Sequence, residues 1–360
     1  MKNLVPMILM RSAIIIALTW LAGCAGMEQY MPADAPPLTA DQEIKVGSTA
    51  EDRLLQLLGG PRHDQALLEE LDSLIKTEGG ASGRFTVTVA DKSAAALYAL
   101  PGGRIVVTRG VLSEISDQGE LVALLEGAAA LTRTAYSERA NRASNEATAE
   151  ILSLKESVYD PESGSIRLAR IFAQRPCEGR CLTSLLQSGV NRSGDVPESI
   201  RLLKGLQPAY ELLKEAQRLE KADNPSQAIT QYLNAASMAP EEPQILGSLG
   251  MAYLRTGDLQ TARLNLQKAV ELQPDYYKTR MGLGYLYLQQ GQVRKANDQL
   301  AESVRLLPVT ENLFLLAEAR EKGGDAEGGM SLYRLIVETD PHSKLGRTAA
   351  SRLARSKGVE

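Results

Sequence analysis

The chain has 360 residues, of which 44% are hydrophobic and 4% aromatic, and its net charge is −4. That length suits two domains of ordinary size, and a composition led by Ala and Leu favours helices. The near-balanced charge, with no block of Lys and Arg, argues against a nucleic-acid partner.

Residues 1–23 read as a signal peptide. Lys2 and Arg11 supply positive charge, and the apolar core "SAIIIALTWLAG" is short for a membrane span. The core ends in "LAGC", Leu21 to Cys24, which resembles the bacterial lipobox. The resemblance implies that Cys24 is lipidated and becomes the mature N-terminus. Ala25, where an aspartate would retain the protein at the inner membrane, implies an outer-membrane lipoprotein facing the periplasm. Residues 24–40, rich in Pro and Ala, form a flexible tether.

Residues 41–205 form the first domain. "EIKVGSTAEDRLLQLLGG" places Ile44, Leu54, Leu55, Leu57 and Leu58 at helical spacing before a Gly-Gly stop. "HDQALLEELDSLIKTEGG" gives a second helix. "RFTVTVAD" alternates Phe85, Val87 and Val89 with polar residues, as a strand does. "AALYAL" and "RIVVTRG" flank Pro101-Gly102-Gly103 and predict a β-hairpin, with helices resuming at Ser113. "PCEGRC" holds Cys177 and Cys181. In an exported protein a disulfide is the natural reading, with two free thiols as the alternative. Neither a haem motif nor a zinc site fits, since no C-x-x-C-H and no second Cys or His pair accompanies them.

Residues 206–360 repeat. Pro240, Pro274, Pro308 and Pro341 recur at intervals of 34, 34 and 33. Ala228, Ala262 and Ala296 keep the same step, as do Gly250 with Gly284, Tyr253 with Tyr287, and Tyr232 with Leu266 and Leu300. Small residues let paired helices approach, large ones fill between pairs, and the turns fall at Asn224-Pro225, Gly257-Asp258, Gly291-Gln292 and Gly323-Gly324-Asp325. This pattern resembles the tetratricopeptide repeat, a helix–turn–helix unit. Three repeats are clear and a fourth is divergent. Leu345, Ala349 and Leu353 share one face of a capping helix. The resemblance places Met251, Leu254, Arg255, Lys278, Met281, Tyr285, Leu288 and Phe314 along a groove that receives an extended segment or an amphipathic helix. The alternative is that some of them are core residues of the next repeat.

The stretch from Gln42 to Pro161 resembles the BepA/HtpX-type membrane-associated zinc metallopeptidases. "FTVTVADKSAAALYALPGGRIVVTRGVL" and "SDQGELVALL" carry the likeness, above all Ala99-Leu100-Pro101-Gly102-Gly103 and Val107-Thr108-Arg109-Gly110. It implies an α+β, zincin-like metallopeptidase domain ahead of the all-α solenoid, in a chain mostly helical overall. The family's H-E-x-x-H binds zinc through two histidines four apart, with the glutamate as general base. Here the histidine positions fall on Gly127 and Leu131 and the glutamate position on Ala128. The only histidines are His63 and His342. Glu146 stands where the family has its third ligand, but Thr148 replaces the motif's Asp, and a solvated helix glutamate is the better reading. Glu126 reads as an exposed residue or the partner of an Arg. The domain is therefore expected to be degenerate, with no cofactor and no metal, a pseudoenzyme of its family. The hairpin is expected to persist as a sheet edge open to peptide addition.

The leading expectation is a non-catalytic envelope scaffold. It would bind protein or peptide partners through the groove and the pseudo-peptidase domain, perform no nucleic-acid function, and be held at the membrane by its lipid. The alternatives are a periplasmic zinc endopeptidase with atypical ligands, and a pilotin-like assembly lipoprotein acting through its repeats alone.

Overall fold

A computed structural model describes residues 38–78, 85–135, 142–153, 157, 159–187 and 194–357. The leader and Cys24 lie outside the described residues. The first helix among the described residues, α1 (Ala40–Leu57), starts at a capping box. Thr39 Oγ1 accepts from the Gln42 N–H (3.3 Å), and Gln42 Oε1 accepts from the Thr39 N–H (2.9 Å). Gly59 and Gly60, at φ 98° and 92°, turn the chain after it. Helix α2 (Gln65–Glu78) follows, then β1 (Thr86–Ala90), β2 (Leu97–Leu100) and β3 (Arg104–Thr108).

The three strands form one mixed sheet in the order β1-β3-β2. β2 and β3 make the expected antiparallel hairpin, and β1 pairs with β3 in parallel. Gly102, in the turn, has φ 71° and its Cβ would lie 2.6 Å from the Cα of Ile44, so the turn requires glycine. The parallel pairing makes β3 the interior strand. The hairpin's other strand, β2, stays at the sheet edge, where it is covered rather than open. Leu97 on β2 exchanges both backbone hydrogen bonds with Cys177 (2.8 and 3.0 Å), and all four residues of β2 are buried.

Helices resume at Arg109, four residues before the sequence expectation. Thr108 caps the turn, its side chain accepting from the Val111 N–H (3.4 Å). The short α3 (Arg109–Glu114) leads into α4 (Gln118–Ala135), and α5 (Arg142–Ser153), α6 (Gly164–Ala173), α7 (Arg180–Gln187) and α8 (Glu198–Gly205) complete this half. Strand alternation sorts the core. Ile105 and Val107 join Leu67, Leu71, Leu121, Leu124 and Leu185 on one side. Val106, Tyr98 and Leu100 join Val46, Leu54, Leu168 and Phe172 on the other. The small sheet thus lies between two helical layers.

The remainder is all-α. Four antiparallel hairpins stack in order: α9 (Gln207–Lys221) with α10 (Pro225–Met238), α11 (Pro243–Thr256) with α12 (Leu259–Leu272), α13 (Tyr277–Gln289) with α14 (Val293–Leu306), and α15 (Thr310–Lys322) with α16 (Ala326–Thr339). A single helix, α17 (Lys344–Lys357), packs on the last pair. The 34-residue period has a steric cause. A Cβ on Gly250 would lie 2.7 Å from Leu266 Cγ, and one on Gly284 would lie 2.6 Å from Leu300 Cγ. Each glycine brings its two helices together against the leucine of the partner. Ala228, Ala262 and Ala296 are fully buried at the same step.

Candidate functional site: the repeat array and its junction

Three places bear on function: the helix that resembles a protease helix, the surface of the array, and the seam between the two halves.

On α4, Gly127 faces α7, and a Cβ there would lie 2.3 Å from Leu185 Cδ2. Ala128 is fully buried and Leu131 is half-buried against the same apolar cluster. Apolar packing fills the positions at which the family resemblance places its ligands. Helix α7 is fixed there by its first turn, where a disulfide joins Cys177 to Cys181 with Cα atoms 5.3 Å apart. Glu146 is exposed on α5, a helix that packs on α6 and α1. Glu126 is half-buried. Among the described residues no three His, Cys, Asp or Glu side chains cluster closely enough to hold a metal ion. The donor set does not fit the zinc that the resemblance implies.

The array surface divides the eight groove candidates. Leu254 (4% exposed), Leu288 (5%) and Phe314 (8%) belong to the core, which corrects their assignment as groove residues. A first helix inside a stack has a neighbour on each side, and these three point into the contacts. Met251 is half-buried, its sulfur close to Gly282 of the next repeat. Met281 is half-buried too, while Arg255, Lys278 and Tyr285 are exposed. Arg255 pairs with Glu220 of the preceding hairpin. What stays available is a narrow strip around Lys278, Met281 and Tyr285, the last 37% exposed.

The seam was not legible in the sequence. Arg62, just after the Gly-Gly turn, makes a two-pronged ion pair with Glu242 in the α10–α11 connection (2.7 and 3.0 Å). Its Nη1 also donates to the Tyr210 hydroxyl (3.1 Å) on α9. Arg109 Nε donates to Asp91 Oδ1 (2.8 Å), and its guanidinium lies 3.2 Å from the centre of the Tyr210 ring. The Tyr210 hydroxyl lies within donating distance of Asp91 (3.1 Å) and of Glu242. Burial raises the Asp91 pKa against the pull of Arg62 and Arg109. Burial also works to raise that of Glu242, but the hydrogen bonds and charge of Arg62 outweigh it and hold Glu242 below the usual carboxylate range.

The same segment, residues 53–63, continues along the array. Gln244 Nε2 donates to the Gly59 carbonyl (2.8 Å), and Gln273 Nε2 to that of Pro61 (2.5 Å). Gln56 donates to the Asp275 carbonyl (2.6 Å) and accepts from the Tyr277 N–H (3.0 Å). Arg53 donates to the carbonyls of Arg305 and Leu306. His63 pairs with Asp275 at 2.7 Å, and that hydrogen bond raises its pKa. Ile166 on α6 packs with Tyr277, Leu306 and Leu307. Arg320 on α15 donates to the Tyr159 hydroxyl (3.2 Å). The N-terminal half is thus bonded to successive connections of the array.

Paired antiparallel helices at a constant step, closed by a single helix, define a helical-hairpin solenoid. Models of the tetratricopeptide repeat match residues 213–277, 281–344 and, in a second model, 253–308, so the C-terminal part of this chain carries tetratricopeptide repeats. A search of curated proteins finds no match. Similar solved structures include one described as "MamA 41-end from Desulfovibrio magneticus RS-1", 24% identical, covering 41% of this chain and 96% of that one at a TM-score of 0.35. Another, "MamA RS-1 ArsTM double mutant", is 24% identical over 42% of this chain and 97% of that one, at 0.34. A third, "First TPR of Spaghetti (RPAP3) bound to HSP90 peptide SRMEEVD", is 20% identical over 33% of this chain and 94% of that one, at 0.32.

Proposed function

We propose that the chain is a non-catalytic scaffold of the bacterial envelope, a lipoprotein anchored through Cys24 to the periplasmic face of the outer membrane. Its repeats hold protein partners, in outer-membrane protein assembly, secretion or export. The N-terminal half is a degenerate relative of the BepA/HtpX-type metallopeptidases. The observation that carries the scaffold reading is the repeat array with its accessible strip at Lys278, Met281 and Tyr285. Leu185 standing against Gly127 supports a non-enzymatic role over an endopeptidase with atypical ligands. The seam argues against a pilotin-like protein in which the N-terminal half is a mere spacer, because that half is bonded to successive repeats.

The test is photo-crosslinking from position 285 in living cells, with Leu202 on α8, also exposed, as a control position. The proposal expects a discrete envelope protein captured from 285 and not from 202. Metal-dependent cleavage of unfolded substrates by the purified chain, with stoichiometric zinc, would overturn it.

A further inference from the structure

Helix α17, KLGRTAASRLARSK, holds five cations and no acid, in a chain whose net charge is −4. Helical spacing sorts its residues. Leu345, Ala349 and Leu353 pack against the last hairpins. Lys344, Arg347 and Arg355 stand exposed on the opposite side, with Thr348 and Ser351 between them. Arg352, at the flank, reaches Glu318 (3.2 Å) and Glu321 (3.6 Å) on α15. Among the described residues the other three form no ion pair, and Arg347 donates to the carbonyl of His342 (2.5 Å).

Helix stability accounts for Arg355, in the last turn, but not for Lys344 and Arg347. Cations in a last turn suit the helix dipole, but in a first turn they oppose it. Lys344 opens α17 and Arg347 follows within its first turn. The two preceding helices carry Glu311 and Glu327 at that place. Closing a repeat array needs only a polar outer face, which uncharged or acidic residues supply equally well.

We propose that this face of α17 docks on an anionic lipid surface. A protein interface depends on a few large side chains seated in fitted pockets. Apart from its cations, this side of α17 exposes Thr348, Ala350, Ser351 and Ala354, none of them an anchor. An anionic bilayer asks only for positive charge held close to it, and its attraction fades within a Debye length. The contact adds a second membrane attachment to the anchor proposed at Cys24, and two weak attachments hold far better than one. It stands without the acyl group.

The test uses the full chain, in neutral phosphatidylcholine vesicles and in vesicles about one-third phosphatidylglycerol. Amine acetylation read by mass spectrometry should slow at Lys344 by about fivefold in the anionic vesicles alone. Lys214 on α9 should not change, and half-molar salt should abolish the difference. The triple variant Lys344→Glu, Arg347→Glu, Arg355→Glu should lose the extra flotation on anionic vesicles while keeping its helical signal. Equal reactivity of Lys344 in both vesicles overturns the proposal. So does protection by polyglutamate but not by vesicles, which would assign the face to an acidic polypeptide. Flotation on neutral vesicles, compared with Cys24→Ser, reports the lipid anchor separately.

Discussion

Glu242 and Arg62 show how a few side chains can join two halves of a chain. Removing one partner of a buried pair strands the other, so Glu242→Ala should cost about 3 kcal/mol by denaturant titration at neutral pH. The pH dependence follows from the directions of the shifts. Glu242 has a lowered folded pKa, so its contribution is present above its unfolded value and is lost as the pH falls through the folded one. The gap between wild type and Glu242→Ala should narrow in that acid range. His63 has a raised pKa, so its contribution is full below its unfolded value and fades as the pH rises through the folded one. His63→Gln should flatten the neutral-to-alkaline limb of the stability curve; an unchanged limb would remove His63 from the seam. Asp91, raised by burial, acts like His63 at lower pH and opposes Glu242. Asp91 and Arg109 both lie in the stretch that carries the family resemblance. Their meaning stayed hidden because Tyr210 lies 119 positions from Asp91, outside the repeat signature.

Single helices and turns were more legible, and the reason is local. A small residue facing a large one at a fixed step must be a close helix pair, so the hairpins follow from Gly250, Leu266 and their counterparts. The turns keep step as well: Gly257, Gly291 and Gly324 take positive φ at equivalent positions. Asp223 occupies that place in the first hairpin with φ 57°, the only such non-glycine among the described residues. Asp223→Gly should therefore be neutral to stabilising by about 0.5–1 kcal/mol in thermal unfolding. Which face of each first helix stays open was less legible, because it depends on how the neighbouring hairpins tilt. Leu288→Ala should behave as a core truncation, costing about 2–4 kcal/mol. Tyr285→Ala should stay within about 0.5 kcal/mol of wild type and weaken partner capture. A large loss of stability in Tyr285→Ala would put that ring in the core instead.

For the molecule as a whole, the period revealed the array and the hydrophobic patterns revealed the N-terminal elements. Their union could not be read, because much of it runs through backbone carbonyls of Gly59, Pro61, Asp275 and Leu306. Every residue offers that acceptor, so no pattern of side chains marks it. Unfolding of the full chain should follow one transition across both halves. Residues 206–360 alone should melt lower and exchange backbone amides faster around Glu242 and Asp275. Two independent transitions in the full chain, with the fragment's midpoint unchanged, would show the seam to be energetically idle.

The run from Arg53 to His63 has a mechanical consequence. A stack of helical pairs touching only its neighbours bends and twists like a spring, since small rotations at each contact add up. Here one strap of chain is tied to several successive connections, as a splint is tied along a limb. Such an array cannot wind or stretch without breaking ties to Glu242, Asp275 or Leu306. A partner therefore meets a surface whose curvature is already set. Little order has to be created on binding, and the scattering profile of the array should change little when a partner arrives.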